Sequence, residues 1–181
     1  MSGRKRCAHA DVQRTGQPWP LPCLRSKTRP YARRHQRQAS SIIRRQAGNA
    51  RFVTSVCTGA LVLGAAGLLR GRRATTRWAF HELLGPLGAI PVRERVVRDG
   101  NLVTGGGITA GIDFALTLAI ELVGKEEAQA VQLELEYAPA PPFDAGSLDS
   151  APKSIVELVR RRSAGSLARR EEIVARVASS L

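Results

Sequence analysis

The stretch "RFVTSVCTGALVLGAAGLL", residues 51–69, sets one cysteine and one threonine between a β-branched run and a long apolar one. Val53, Thr54 and Val56 favour an extended strand, because branched side chains fit a pleated, half-buried surface. "TGALVLGAAGLL" follows with small and straight-chain residues and almost no polar face, which predicts a buried helix. Strand, then Cys57, then a helix starting at Thr58-Gly59 is the layout of a nucleophile elbow. Such a turn lifts a side chain above the carboxyl edge of a sheet, where α/β proteins bind their ligands. A helix start carries partial positive charge, which favours a thiolate. Gly59 and Ala60 would let the backbone turn and a substrate approach, and the Thr58 N–H would face an anion formed by attack. A cysteine in such a place can equally be an inert core residue. The pattern leaves both readings open.

Outward from this stretch the chain alternates. "IIRRQAG" reads as a helix end with Gly48 as its stop. "RGRRATTRW" is a turn leading into a helix that carries Trp78, Phe80, Leu83 and Leu84. "PVRERVVRDGNLVTGGG" reads as two strands joined at Asp99-Gly100, a strong hairpin dipeptide. "TAGIDFALTLAIELVG" is a helix with Thr109 as N-cap and Gly124 as C-cap. "KEEAQAVQLELEYA" is another, with two acids near its start. A proline-rich loop, "PAPPFDAGSLDSAP", precedes one or two amphipathic helices interrupted around Ser163–Ser166. Strands alternating with helices imply an α/β domain with a mainly parallel sheet.

At 181 residues the chain is long enough for one domain with a real core. Its net charge of +13 is unevenly placed. Residues 1–50 hold 12 Lys/Arg against the single acid Asp11, whereas residues 51–181 hold 16 against 14. The basic excess therefore belongs to the N-terminal segment, and no nucleic-acid partner is expected for the domain. Cys7, Cys23 and Cys57, with His9, His35 and His81, show no zinc spacing. This spacing predicts no zinc site. Phe52–Leu69 is uncharged for 18 residues, the lower limit for a membrane span, but Thr54, Ser55, Thr58 and its glycines argue against one. No apolar secretory region follows the basic N-terminus, and the cysteines ask for no oxidising compartment. A cytoplasmic location is expected.

Residues 1–42 form a separate segment. "QPWPLPCLRSKTRPYARRHQRQ" combines prolines, positive charge and no apolar periodicity, so it cannot bury enough surface to offset its ordering entropy. It reads as disordered or non-native. A basic arm would need more aromatic residues than Trp19 and Tyr31, and a transit leader fewer prolines. A frameshifted or wrong start is the third reading, and composition leaves it open.

Three motifs, "FVTSVCTGALVLGAAGLLRGRRATTRW", "VTGGGITAGIDFALTLAIEL" and "QLELEYAPAPPFDAGS", resemble the DJ-1/PfpI superfamily, and most nearly its isonitrile hydratase branch. The resemblance spans residues 43–181. It implies a flavodoxin-like (class I glutamine amidotransferase-like) parallel sheet with flanking helices, N-terminally incomplete here, and a homodimer. It further implies that Cys57 is the nucleophile and that the reaction is hydration of an isonitrile to an N-substituted formamide through a thioimidate, with no metal or organic cofactor. Thr58 would assist with its N–H; Gly59, Gly106 and Thr109 would be pocket neighbours. The family's elements before the nucleophile strand include an acidic partner for the cysteine and a second anion-binding N–H. Neither is visible in residues 1–42, so impaired activity is expected, and a frameshifted or wrong start becomes the preferred reading of that segment. The strand at 52–56 is expected to lack neighbours and to expose a hydrophobic edge that aggregates or recruits another chain. Arg77 stands where the related motif has histidine. His81, Thr104 and Asp113 are expected to be structural, and Gly105-Gly106-Gly107 lacks the context of a phosphate loop. The alternative reading is a non-enzymatic domain: a ligand-sensing, transcription-regulator-like module or a redox-sensing or chaperone-like protein of the DJ-1 type.

Overall fold

The computed structural model describes residues 29–180, with side chains from Gln38 onward. The chain runs α1 (Arg29–Ala47), β1 (Val53–Val56), α2 (Gly59–Ala65), β2 (Arg73–Ala74), two 3-10 turns (Trp78–Leu83 and Gly85–Leu87), β3 (Ile90–Pro91), β4 (Val96–Asp99) and β5 (Leu102–Gly105). Helices α3 (Ala110–Val123), α4 (Lys125–Glu134) and α5 (Lys153–Ala178) complete it. A three-stranded sheet has the order β1-β5-β4, with β1 parallel and β4 antiparallel to β5. β2 and β3 form a separate parallel pair. The fold is thus α/β of the flavodoxin-like kind, with two parallel pairings and one hairpin.

Strand alternation distributes the helices. Val56 packs towards Gly111 of α3, whereas Ser55 lies beneath Gly59 of α2. Adjacent strand residues face opposite sides, so α2 and α3 cover opposite faces of the sheet. The larger core lies on the α2 side, where Leu63 and Leu69 meet Phe80, Leu84 and Leu87 of the 3-10 segment, Leu102 of β5 and Val174 of α5. α2 stops at Ala65 because a Schellman motif closes it: Gly67 (φ 76°) donates to the Gly64 carbonyl and Leu68 to the Leu63 carbonyl. The helix is therefore shorter than "TGALVLGAAGLL" suggested. A β-carbon on Gly64 would stand 2.7 Å from Leu87 Cδ1 and 2.9 Å from Leu87 Cβ. Gly64→Ala is accordingly expected to destabilise the fold by about 1–3 kcal/mol through overpacking, read as a lower urea midpoint.

Several expectations change on contact with the structure. The end of segment 1–42 is helical: residues 29–42 belong to α1, while residues 1–28 lie outside the described residues. Pro30 is tolerated there because the N–H that proline lacks would have no helical acceptor in the first turn. The segment after Arg77 forms 3-10 turns rather than an α-helix, since Gly85, Pro86 and Gly88 prevent a third regular turn. α5 is one uninterrupted helix through Ser163–Ser166. Gly165 weakens it by about 1 kcal/mol relative to alanine, but packing of Leu167, Val174 and Val177 against the core outweighs that cost. The β4–β5 hairpin forms as expected, with Gly100 and Asn101 as its central pair and Gly100 alone at positive φ (58°).

The strand expected to lack neighbours, β1, has one: it pairs with β5, and its other edge is open among the described residues. The N–H groups of Val53 and Cys57 donate to the Asn101 and Gly105 carbonyls of the β5 side. By alternation, those of Thr54 and Val56 point away from β5, and among the described residues no strand pairs with them.

Asp99 ties the hairpin to β2. Its Oδ2 accepts from the Arg73 N–H at 2.8 Å and lies 3.3 Å from Arg72 Nε. The backbone donor first, and then the Arg72 charge, hold this carboxyl below the ordinary aspartate value of 3.8. A depressed folded value contributes stability that is present above the unfolded value and lost as pH falls through the folded one. Asp99→Asn is expected to flatten the stability profile below about pH 4, as measured by acid titration in urea.

Candidate active site

Cys57 follows directly on the carboxyl end of β1 and adopts φ 58°; Glu136, at the end of α4, is the only other non-glycine residue with positive φ among the described residues. Such a conformation costs a non-glycine residue about 1–2 kcal/mol. Two backbone hydrogen bonds offset it. The Cys57 N–H donates to Gly105 O at 3.0 Å, and the Cys57 carbonyl accepts from Thr76 Oγ1 at 2.6 Å. Each is worth about 1 kcal/mol net, which matches the strain in size. The cysteine is half-buried and carries a free thiol. No hydrogen bond joins its Sγ to a carboxylate among the described residues.

Thr58 takes the N-cap position of α2 with helical angles (φ −71°, ψ −3°), and its side chain makes no cap hydrogen bond. Its carbonyl instead accepts the Leu61 N–H at 3.1 Å, opening the first turn. Gly59 needs its missing side chain for space, as an added β-carbon would lie 3.2 Å from Ser55 Cβ. Cys57, Thr58 and Gly59 thus form a contiguous elbow.

Gly106 is adjacent to it. The buried Gly106 follows the residue that accepts the Cys57 N–H, and donates its own N–H to Arg95 O at 2.9 Å. Thr109 belongs to a different cluster. It stands at the N-cap of α3 without capping it, and its exposed hydroxyl accepts from Arg95 Nη2 at 3.3 Å. Arg95 Nε also binds Asp113 Oδ2 at 2.6 Å, and Tyr137 donates to the same oxygen at 3.1 Å. The Asp113 bond raises the Arg95 pKa above its ordinary value, which keeps the guanidinium charged throughout. Asp113 is therefore held by a cation and a phenol rather than serving the helix start alone.

Thr104 is fully buried, and its Oγ1 accepts the Thr75 N–H at 2.9 Å. His81 is buried with Nε2 at 3.0 Å from the Val92 carbonyl, a structural tie far from proton-transfer duty at the thiol. Arg77 places its guanidinium over the Phe80 ring, 5.8 Å from the centroid. Among the described residues no group of three His, Cys, Asp or Glu could hold a metal ion. No described helix is long and apolar enough to cross a membrane.

Sequence reasoning missed Thr75 and Thr76, which follow the buried Ala74 in "RRATTRW". Both are only 2% exposed.

A cysteine at positive φ, set between a parallel strand and a helix at the carboxyl edge of the sheet, defines an α/β protein with a nucleophile elbow. The chain belongs to the DJ-1/PfpI family, whose model matches residues 27–121. It is 69% identical over 144 residues to the isonitrile hydratase of Pseudomonas putida, a match covering 80% of this chain and 63% of that protein. It is 37% identical to the protein DJ-1 homolog A of Arabidopsis thaliana over 102 residues, or 56% of this chain and 26% of that one. Among solved structures, a THiJ/PfpI family protein from Pseudomonas syringae superposes with a TM-score of 0.71 at 39% identity, covering 79% of this chain and 60% of the other. The chain thus spans less than two thirds of the length of each of these relatives.

Proposed function

We propose that this protein hydrates isonitriles to N-substituted formamides, with Cys57 as the nucleophile. The observation that carries the reading is the left-handed Cys57 at the β1–α2 junction, in a chain 69% identical to an isonitrile hydratase over 80% of its length. The terminal carbon of an isonitrile accepts both an electron pair and a proton. Addition of the Cys57 S–H across that carbon forms the C–S and C–H bonds and yields a thioimidate, R–N=CH–S–Cys. Water then adds across C=N to give R–NH–CH(OH)–S–Cys. Collapse of this adduct breaks the C–S bond, returns the proton to sulfur and releases R–NH–CHO. The sum is RNC plus water, with no oxidant, reductant or metal in the balance.

Thr58 supports the first step through its position. It is the first residue beyond the nucleophile, so its N–H lies next to the charge that develops on attack. Gly59, without a side chain over Ser55, lets α2 start close against β1 at the elbow. Gly106 backs the elbow through its neighbour Gly105. Thr109 is engaged by Arg95 and acts, on this reading, at the rim.

Incubation with cyclohexyl isocyanide tests the proposal. Proton NMR should show the formamide, and rapid quenching followed by peptide mapping should place one substrate mass on Cys57. Absence of both products from folded protein overturns the hydratase reading. A sulfinate formed selectively on Cys57 under mild peroxide, without formamide, would instead favour redox sensing.

A further inference from the structure

We propose that Thr76 is the positioning residue of the elbow, its hydroxyl holding Cys57 in the left-handed conformation that presents the thiol. Four observations converge. Cys57 departs from the backbone conformation that an L-residue prefers, at φ 58°. The Thr76 hydroxyl donates to the Cys57 carbonyl at 2.6 Å, across 19 residues of sequence. Thr76 is 2% exposed, so water does not readily replace that donor. Its own placement is secured by the preceding residue, because the Thr75 N–H donates to the fully buried Thr104 Oγ1 of β5 at 2.9 Å.

These contacts close a loop around the nucleophile. β5 accepts the Cys57 N–H through Gly105 and, one residue earlier, holds Thr75 through Thr104. Thr76 then reaches back to the Cys57 carbonyl. The peptide following Cys57 is therefore fixed from the β2 side, and the peptide preceding it from the β5 side. Rotation of Cys57 to negative φ would swing that carbonyl and break the Thr76 bond. Thr76 does not touch the reacting sulfur in this arrangement; it acts through the backbone of the residue that carries it. The inference rests on Cys57 being the reactive centre of the proposed function, but not on the identity of the substrate.

The test separates the two. Cys57 alkylation by iodoacetamide at fixed pH, localised by peptide mapping, reads presentation of the thiol without any isonitrile. Thr76→Val keeps the shape and removes the donor. It is expected to slow alkylation of Cys57 by about five- to tenfold, the population change that follows loss of one buried hydrogen bond. Thr76→Ser restores the donor and should return the rate to within about twofold of the parent. Thr117→Val removes a hydroxyl hydrogen bond to the Asp113 carbonyl within α3, outside this loop, and should leave the alkylation rate within about twofold. Should Thr76→Val fail to fold, Thr76→Ala carries the same comparison. An unchanged rate in a folded donor-less variant, or failure of Thr76→Ser to rescue, overturns the proposal. If the parent protein forms no formamide yet Thr76→Val still slows alkylation, the hydratase reading falls and the clamp stands.

Discussion

Cys57→Ser is expected to lower isonitrile hydration by about a thousandfold or more while leaving the fold intact. The serine hydroxyl has nearly the shape of the thiol and can take the same backbone conformation. The two hydrogen bonds that hold the elbow, to Gly105 O and from Thr76 Oγ1, involve only main-chain atoms of residue 57. What changes is the atom that attacks in the proposed reaction. A hydroxyl near neutral pH has essentially no anionic form, whereas a thiol retains a reactive thiolate fraction. Formamide production followed by NMR, together with thermal melts of both proteins, checks the expectation. A variant that retains even a tenth of the parent rate would mean that Cys57 does not form the covalent bond. A variant that melts far below the parent would mean that residue 57 is chiefly a core residue.

The second large effect concerns the scaffold. Leu84→Ala is expected to cost about 2–5 kcal/mol, from lost burial plus the cavity left behind. Leu84 is 0% exposed and sits where the two 3-10 turns meet. Its N–H donates to His81 O, and its carbonyl accepts from Leu87 and Ala89, so the surrounding backbone cannot collapse freely into the gap. Domains are typically stable by about 5–15 kcal/mol, so this one truncation would leave a considerable unfolded fraction. Urea midpoints for Leu84→Ala and for Val62→Ala, at a side chain 50% exposed, should separate widely. Nearly equal midpoints would place the core elsewhere.

The parts of the molecule that were legible in sequence are those made by local chemistry. The β4–β5 hairpin follows from the branched apolar residues Val96, Val97 and Val103 on either side of Asp99-Gly100, with a turn that glycine alone adopts without strain. β1, Cys57 and α2 follow from a β-branched run giving way to small apolar residues. The long run of α5 was harder to read. Ser163, Gly165 and Ser166 are weak helix formers, and only the packing of Leu167, Val174 and Val177 on the core keeps that stretch helical. Similarly, "RWAFHELL" has helix-forming composition, yet closely spaced Gly85, Pro86 and Gly88 leave it in tighter 3-10 turns.

The candidate site divides along the same line. Cys57, Thr58 and Gly59 were found because they are consecutive and their spacing is the elbow itself. Gly106 was found through a glycine run, and the structure places it behind the elbow. Thr109 shared that run but is drawn off by Arg95, whose place beside α3 no periodicity reveals. Thr76 could not be found from pattern, because its partner is the carbonyl of a residue brought near only by the pairing of β1 with β5.

By itself the sequence determined β1, α2, the hairpin and the identity of the residue at the elbow, since each depends on contacts a few positions apart. Only the tertiary structure decided which strand β1 pairs with and which threonine holds Cys57. Those features depend on backbone hydrogen bonds between distant segments. Every residue carries the same backbone donor and acceptor, so side-chain pattern alone cannot say which of them meet.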